Sequence, residues 1–455
     1  NVTLGLLDAG DGRVQVIAGG NILDARADTV GHDAEGFVMR TGDARELNIE
    51  AEAVQLVAGG TIGTAGNPLD IEVGTLAAEA DAGMYLYESS DIRVDGVVFA
   101  GVNRIGLDSS TTPGVGAATL SDLESSGGSV KLAVADGSLT VTDGLDGDGI
   151  GVMAADDVLL DTYAEMRAAD ITLDAAVAAG DSVSIYADGM IAQNADITAG
   201  GTIDVQAFGG SITMADGAVS TADGNIRYVA DTDVTLGGLA GENVRVEAWM
   251  GSILDGGDAD KDVVAETAQL VAGNAVGGPA AEAIDTEVGT LAAEAGLGGI
   301  YVSEADALTV GNVAAIDVNR IALDSNTLPW PGEALSGAVA DGNVKIENGV
   351  DAAGNLTVAG AVTAGGDVLL QALNGNAAVN APVTAGDDVS VLASRGITQS
   401  GDITAGGTID VEAFGGSINL TAVSQTTAGG NIRYAATGNV VLDGLLDAGA
   451  GNVAV

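Results

Sequence analysis

Three carboxylates crowd the segment DGLDGDG, at Asp143, Asp146 and Asp148. Closely spaced acids with glycine between them are how a chain wraps a hard cation such as Ca2+, which takes about six to eight oxygen ligands. The segment lacks the closing glutamate of an EF-hand loop, and no tandem GGxGxD nonapeptides accompany it, so a plain acidic turn is the favoured reading. Acid–base catalysis has less to work with. The chain holds one histidine, His32, and three lysines. His32 has no acidic or hydroxyl partner in a recognisable motif. An active site should also break a repeat at one rung, whereas most acids here recur, as Asp204 does at Asp410. No phosphate loop and no zinc-ligand spacing is present, and no catalytic residue or cofactor is expected.

Arginines and aromatics complete the inventory. Arg104 and Arg320 share the motif VNRI, and Arg227 and Arg433 share NIRY. In a strand such arginines alternate outward and read as a structural charge ladder rather than a ligand site. Trp249 stands where Phe208 and Phe414 stand in related segments and reads as a packing residue. Trp330, in LPWPG, reads as an exposed loop aromatic able to stack on a sugar.

The elements that must carry these groups are written twice. AEAVQLVAGG at Ala51 returns as AETAQLVAGN at Ala265, EVGTLAAEA at Glu72 returns at Glu287, and DITAGGTIDV around Ile197 returns around Ile403. The opening NVTLGLLDAG recurs in altered form at Asp233 and Asn439. Three segments follow: a first superrepeat over 1–232, a second over 233–438, and the start of a third copy over 439–455. The chain is expected to be cut from a longer array. Within 25–50 the first copy carries an insertion, with His32, Phe37, Met39, Arg40 and Arg45, expected to form a surface loop and the first place to look for a partner.

A shorter unit lies inside the long one. GTIDVQAFGGSIT at Gly201, NVRVEAWMGSILD at Asn243 and GTIDVEAFGGSIN at Gly407 share one pattern. Ile203, Val205 and Ala207 alternate with Thr202, Asp204 and Gln206, the period of a half-buried strand. Equivalent strands begin at Val183, Ile203, Ile226 and Val244, about one coil of twenty residues apart. Gly-Gly and Asp-Gly pairs (Gly209–Gly210, Asp216–Gly217, Gly429–Gly430) are expected to supply positive φ at the corners. The pattern predicts an all-β chain: a parallel β-helix, or β-solenoid, with rungs of about 20 residues, EVGTLAAEA being a rung rather than a helix. About 22 rungs at ~4.8 Å each would make a rod on the order of 100 Å.

Composition agrees. Glycine numbers 70, proline 6, and apolar residues make up 47% of the chain, mostly small and aliphatic, which suits a thin core. Acidic residues outnumber basic ones 65 to 15, a net charge of −50 that repels phosphate backbones and excludes nucleic acid. Such a surface attracts divalent cations and stays soluble in salt. Cysteine is absent, and no apolar run is long enough for a membrane-spanning helix.

The strands GDVLLQA at Gly366 and GNIRYAA at Gly430, with NPLDIEVGTLAAEA at Asn67, resemble the repeat region of filamentous-haemagglutinin-type proteins. The resemblance implies a right-handed β-helix, export from a Gram-negative bacterium, an extracellular or cell-surface location, and a role in adhesion or filament building. The function expected is therefore structural and adhesive, with partners in neighbouring repeats, surface or matrix polysaccharide and divalent cations. A carbohydrate- or calcium-binding module is the alternative, and a polysaccharide-degrading β-helix enzyme the third reading.

Overall fold

The structure is a computed structural model that describes residues 1–26, 29–32, 38–41, 47–162, 169–257, 260–324 and 327–455, with side chains outside 27–46. Phe37 and Arg45 lie outside the described residues. The described part is all-β, with parallel strands stacked coil on coil and one short 3-10 turn at Ala280–Glu282. It divides into two units. The first comprises Asn1–Gly224 with Val318–Trp330, the second Asn225–Asp317 with Pro331–Val455.

In the first unit a coil contains three strands, for example Val183–Ala187, Ile191–Gln193 and Ile197–Ala199. Each pairs in parallel with its counterpart one coil on: Val183 with Ile203, Ile191 with Ile212, Ile197 with Ser220. The expected coil length is therefore correct. Ile203, Val205 and Ala207 point inward and are buried. Register cannot slip by one residue without turning that apolar column outward. The second unit repeats the arrangement, with Val368, Val389, Ile409 and Ile432 in one unbroken column. EVGTLAAEA is strand in both copies, within Leu69–Ala80 and Ile284–Ala295.

The corner glycines serve a different purpose from the one expected. Gly217 does adopt positive φ, 78°, but Gly209, Gly210, Gly429 and Gly430 do not. They are needed because coils stack closely. A Cβ on Gly429 would sit 2.1 Å from the Gly406 carbonyl oxygen, and one on Gly406 would sit 2.0 Å from that of Gly386. Backbone occupies the space a side chain would need.

Among the described residues, antiparallel hairpins leave the coils at three places. In the 25–50 insertion Thr29–His32 pairs with Val38–Thr41. In the first unit Val97–Phe99 pairs with Ala118–Leu120, and beyond it Val102–Ile105 pairs with Thr111–Val115. The second copy has the same two-tier arm. Its base, Asn312–Val313 with Leu335–Ser336, lies in the second unit. Its tip, Val318–Ile321 with Thr327–Trp330, belongs to the first. Both bases are held by a repeated glutamine. Gln55 donates to the carbonyls of Val97 and Ala118, and Gln269 to those of Ala314 and Glu333, both at 2.9 Å.

Candidate functional site

Asp143, Asp146 and Asp148 lie in an excursion of the first unit, and the structure adds a fourth acid. Carboxylate oxygens of Asp122, Asp146 and Asp148 lie within 4.8 Å of one another. Asp143 Oδ1 instead accepts the Gly149 N–H at 2.7 Å. Asp122 is the buried member, 8% exposed, and its Oδ1 has no hydrogen-bond partner. Burial, then the charges of Asp146, Asp148 and Asp143, push its carboxyl up to about 7. It also holds φ at 61°, a left-handed conformation that favours glycine. The second copy places Gly337, φ 74°, at the matching turn. A buried, orphaned carboxylate oxygen facing two further acids is a donor set suited to a hard cation, since a cation both pairs the oxygen and offsets the repulsion.

Sequence reasoning missed Asp122, though a signal for it was present. The repeat breaks twice here: Asp122 replaces glycine, and ten residues separate Val141 from Val152 where three separate Val358 from Val362. Non-repeated acids within a repeat are the feature to look for.

The repeated arginines part company. Arg433 behaves as a ladder residue, its Nη1 2.8 Å from both Asp410 and Glu412 on a half-exposed face. Arg320 is buried, 1% exposed, in the arm tip of the first unit. Its guanidinium donates to Gln206 Oε1 at 2.8 Å and to Asp204 Oδ2 at 3.4 Å. It lies 5.0 Å from the Tyr186 ring centre and 4.0 Å from that of Trp330. Trp330 is thus a strand residue stacked on an arginine, not an exposed loop aromatic. Around this clamp the Asn319 N–H donates to Thr202 Oγ1 (2.9 Å), the Ile321 N–H to Ser184 Oγ (3.0 Å), and Lys131 Nζ to the Ala322 carbonyl (2.7 Å). Burial pushes the Lys131 ammonium down to about 8. Ile321 and Leu323 pack with Ala133, Leu159 and Tyr186. The Asp204 and Gln206 face, expected to meet solvent, is covered by this tip.

Comparison with protein-family models, curated proteins and solved structures yields no match. What the molecule does must therefore be argued from its own residues. Trp249 is 52% exposed, with its indole N–H 3.4 Å from Glu247 Oε2, and so is not the packing residue expected. His32 sits opposite Val38 in the insertion hairpin. Met39 and Arg40 share that hairpin.

One further pair of ionisable groups is internal. Glu88 and its repeat equivalent Glu304 are fully buried at strand ends. Glu88 Oε2 accepts the Val73 N–H at 3.0 Å, and its Oε1 accepts from Ser89 and Ser90. Glu304 Oε2 accepts from Thr286 Oγ1 and the Val288 N–H. Burial outweighs these hydrogen bonds, lifting Glu88 to about 8 and Glu304 to about 7. Both carboxyls satisfy a backbone donor of the neighbouring strand, a structural task present in both copies.

Proposed function

We propose that this chain is a non-enzymatic, structural and adhesive segment of a very large secreted bacterial filament or surface adhesin of the filamentous-haemagglutinin type, acting outside a Gram-negative cell. The supporting observation is that in each unit coil follows coil in parallel register around a thin Ala/Val/Ile column. Backbone pairing along successive coils resists extension, and the acidic exterior keeps the segment hydrated and open to cations. The experiment is retention of chain-coated beads on bacterial envelopes and matrix polysaccharide, run beside an assay for newly released reducing ends. Retention without polysaccharide cleavage is expected. Cleavage of any acidic polysaccharide would replace this reading with the enzymatic one.

The second reading, a calcium-binding module, is favoured by the orphaned Asp122 oxygen. Calcium there would pin the excursion to the coil that carries Asp122. Calorimetric titration with Ca2+ tests it, and a heat signal that survives Asp122→Asn would exclude this site.

A further inference from the structure

The two arm tips open on the same VNRI motif and have opposite surroundings. In the tip at Val318–Trp330, Val318, Arg320, Ile321 and Leu323 are 2%, 1%, 0% and 0% exposed. In the tip at 102–115, Val102, Ile105 and Leu107 are 59%, 67% and 111% exposed, and Arg104 is exposed too. Apolar side chains so open, on an arm whose base is anchored by buried Gln55, form an interaction surface lacking its cover.

The faces such a tip can cover are also duplicated. In the first unit the strands Val130–Val134, Val158–Thr162, Val183–Ala187 and Ile203–Ala207 are buried on both sides, because the second tip lies on them. Their counterparts in the second unit are Val344–Asn348, Val368–Ala372, Val389–Ala393 and Ile409–Ala413. These bury only alternate residues and leave the outer ones half open. Most of the groups that grip the second tip have equivalents there: Lys345 for Lys131, Leu369 for Leu159, Ser390 for Ser184, Thr408 for Thr202 and Asp410 for Asp204.

We infer that the open face of 344–413 binds the tip at 102–115 of a second copy of this chain, joining copies head to tail. Arg104 meets Asp410 and Glu412, where Arg320 meets Asp204 and Gln206. The second carboxylate suits a site that already holds Arg433, since two guanidiniums then face two acids. Ser390 accepts the Ile105 N–H as Ser184 accepts that of Ile321, and Lys345 reaches the Gly106 carbonyl as Lys131 reaches that of Ala322. Leu392 takes the place of Tyr186, so an aliphatic contact replaces the ring beside the arginine. Opposite the first strand of this tip stands Val115, not a tryptophan. The contact is weaker than its intramolecular twin for that reason. Tip and face are different surfaces, so each copy has one of each and the contact is heterologous. None of this depends on the adhesive reading.

The test uses the full chain and two one-sided variants. Arg104→Glu with Ile105→Asp leaves a chain with a working face only. Leu392→Asp leaves one with a working tip only. All these positions are exposed or half-exposed, and circular dichroism melts check that both variants fold. In sedimentation velocity up to about 0.5 mM, within the range of weak specific association, the parent chain is expected to grow beyond 44.4 kDa with concentration. Each variant alone stays monomeric, and an equimolar mixture stops at a one-to-one complex. A parent that remains monomeric throughout overturns the inference. So does association that persists in either variant alone, or a mixture that forms no complex.

Discussion

Replacing the same residue of the same motif in its two settings gives a direct measure of what the buried arm tip contributes. Arg320→Met keeps the length and apolar stem of the side chain but removes the guanidinium. Lost with it are the hydrogen bond to Gln206, the ion pair to Asp204 and stacking between Tyr186 and Trp330. A charge-assisted hydrogen bond contributes about 1.5–3 kcal/mol and a desolvated cation–π contact about 1–2 kcal/mol. Relief from holding a guanidinium out of water offsets part of that, and breaking a buried pair typically costs about 3–5 kcal/mol net. About 3 kcal/mol is the expected loss, because Met refills the apolar stem. Arg104→Met, on the exposed tip, is expected to change stability by less than about 0.5 kcal/mol. Amide hydrogen exchange is the appropriate assay, since a stacked-coil protein opens locally. In Arg320→Met the Asn319 and Ile321 amides, bonded to Thr202 and Ser184, should exchange about a hundredfold faster, the factor corresponding to ~3 kcal/mol. Amides in the column from Val389 to Ile432 should be unaffected. Equal effects from the two substitutions would refute the reasoning, for then burial of the tip contributes nothing.

Other outcomes follow from the same geometry. Glu88 and Glu304 have folded-state pKa values raised above the unfolded value of 4.5, to about 8 and about 7. The fold therefore retains protons that the unfolded chain loses, so their contribution to stability is complete below pH 4.5 and falls as pH rises through 7 to 8. Glu88 accounts for roughly 3 kcal/mol of that fall between pH 5 and 8 at most, and urea titrations of Glu88→Gln should show a flatter pH profile than the parent; parallel profiles would count against it. With Ca2+ at ten to a hundred times its dissociation constant, the acidic excursion should gain about 1.4–2.7 kcal/mol. Asp122→Asn should abolish that gain while leaving the response to NaCl intact, and an unchanged calcium response would remove Asp122 from the site. Gly63→Ala forces a side chain into φ 64° with its Cβ 2.3 Å from the Tyr85 carbonyl oxygen. A loss of at least ~2 kcal/mol is expected, against about 1 kcal/mol for Gly217→Ala, whose φ is positive but whose surroundings are open; equal melting shifts would show that only φ matters.

Period-two alternation was enough to read the coils, because inward Ile203, Val205 and Ala207 need a period of two and nothing else. The same rule hid the arms. VNRI alternates like a rung, and only its partner strand, antiparallel rather than parallel, distinguishes it. Pro113 and Pro329 on the partner strands were the available hint, since proline within a run marks an edge or a departure from the sheet. Alternation alone places Asp204 and Gln206 on the solvent face, because polarity reports what a side chain can tolerate. Their actual cover is contributed by a tip more than a hundred residues further on. The corner glycines fall where sequence expects them for an incomplete reason: a sequence shows that a position needs glycine, while only the stacked coils show whether φ or crowding requires it.

Charge gives the arms a meaning beyond packing. With 65 acids and 15 bases, any two surfaces of this chain brought together at random repel. Cations are therefore scarce, and VNRI sets one at the tip of each arm. A contact that pairs the tip arginine with acids on the face is favoured against this background, whereas most other approaches between copies meet like charge. Discrimination thus comes from the repulsive background as much as from the attractive pair. Within the first unit the clamp extends contacts over 114 to 191 residues of sequence, in a fold whose parallel strand pairings mostly step along by about one coil. Opening one coil beneath the tip consequently requires releasing the tip, so the four strands it covers should respond together, unlike the sequential behaviour of an unbraced stack.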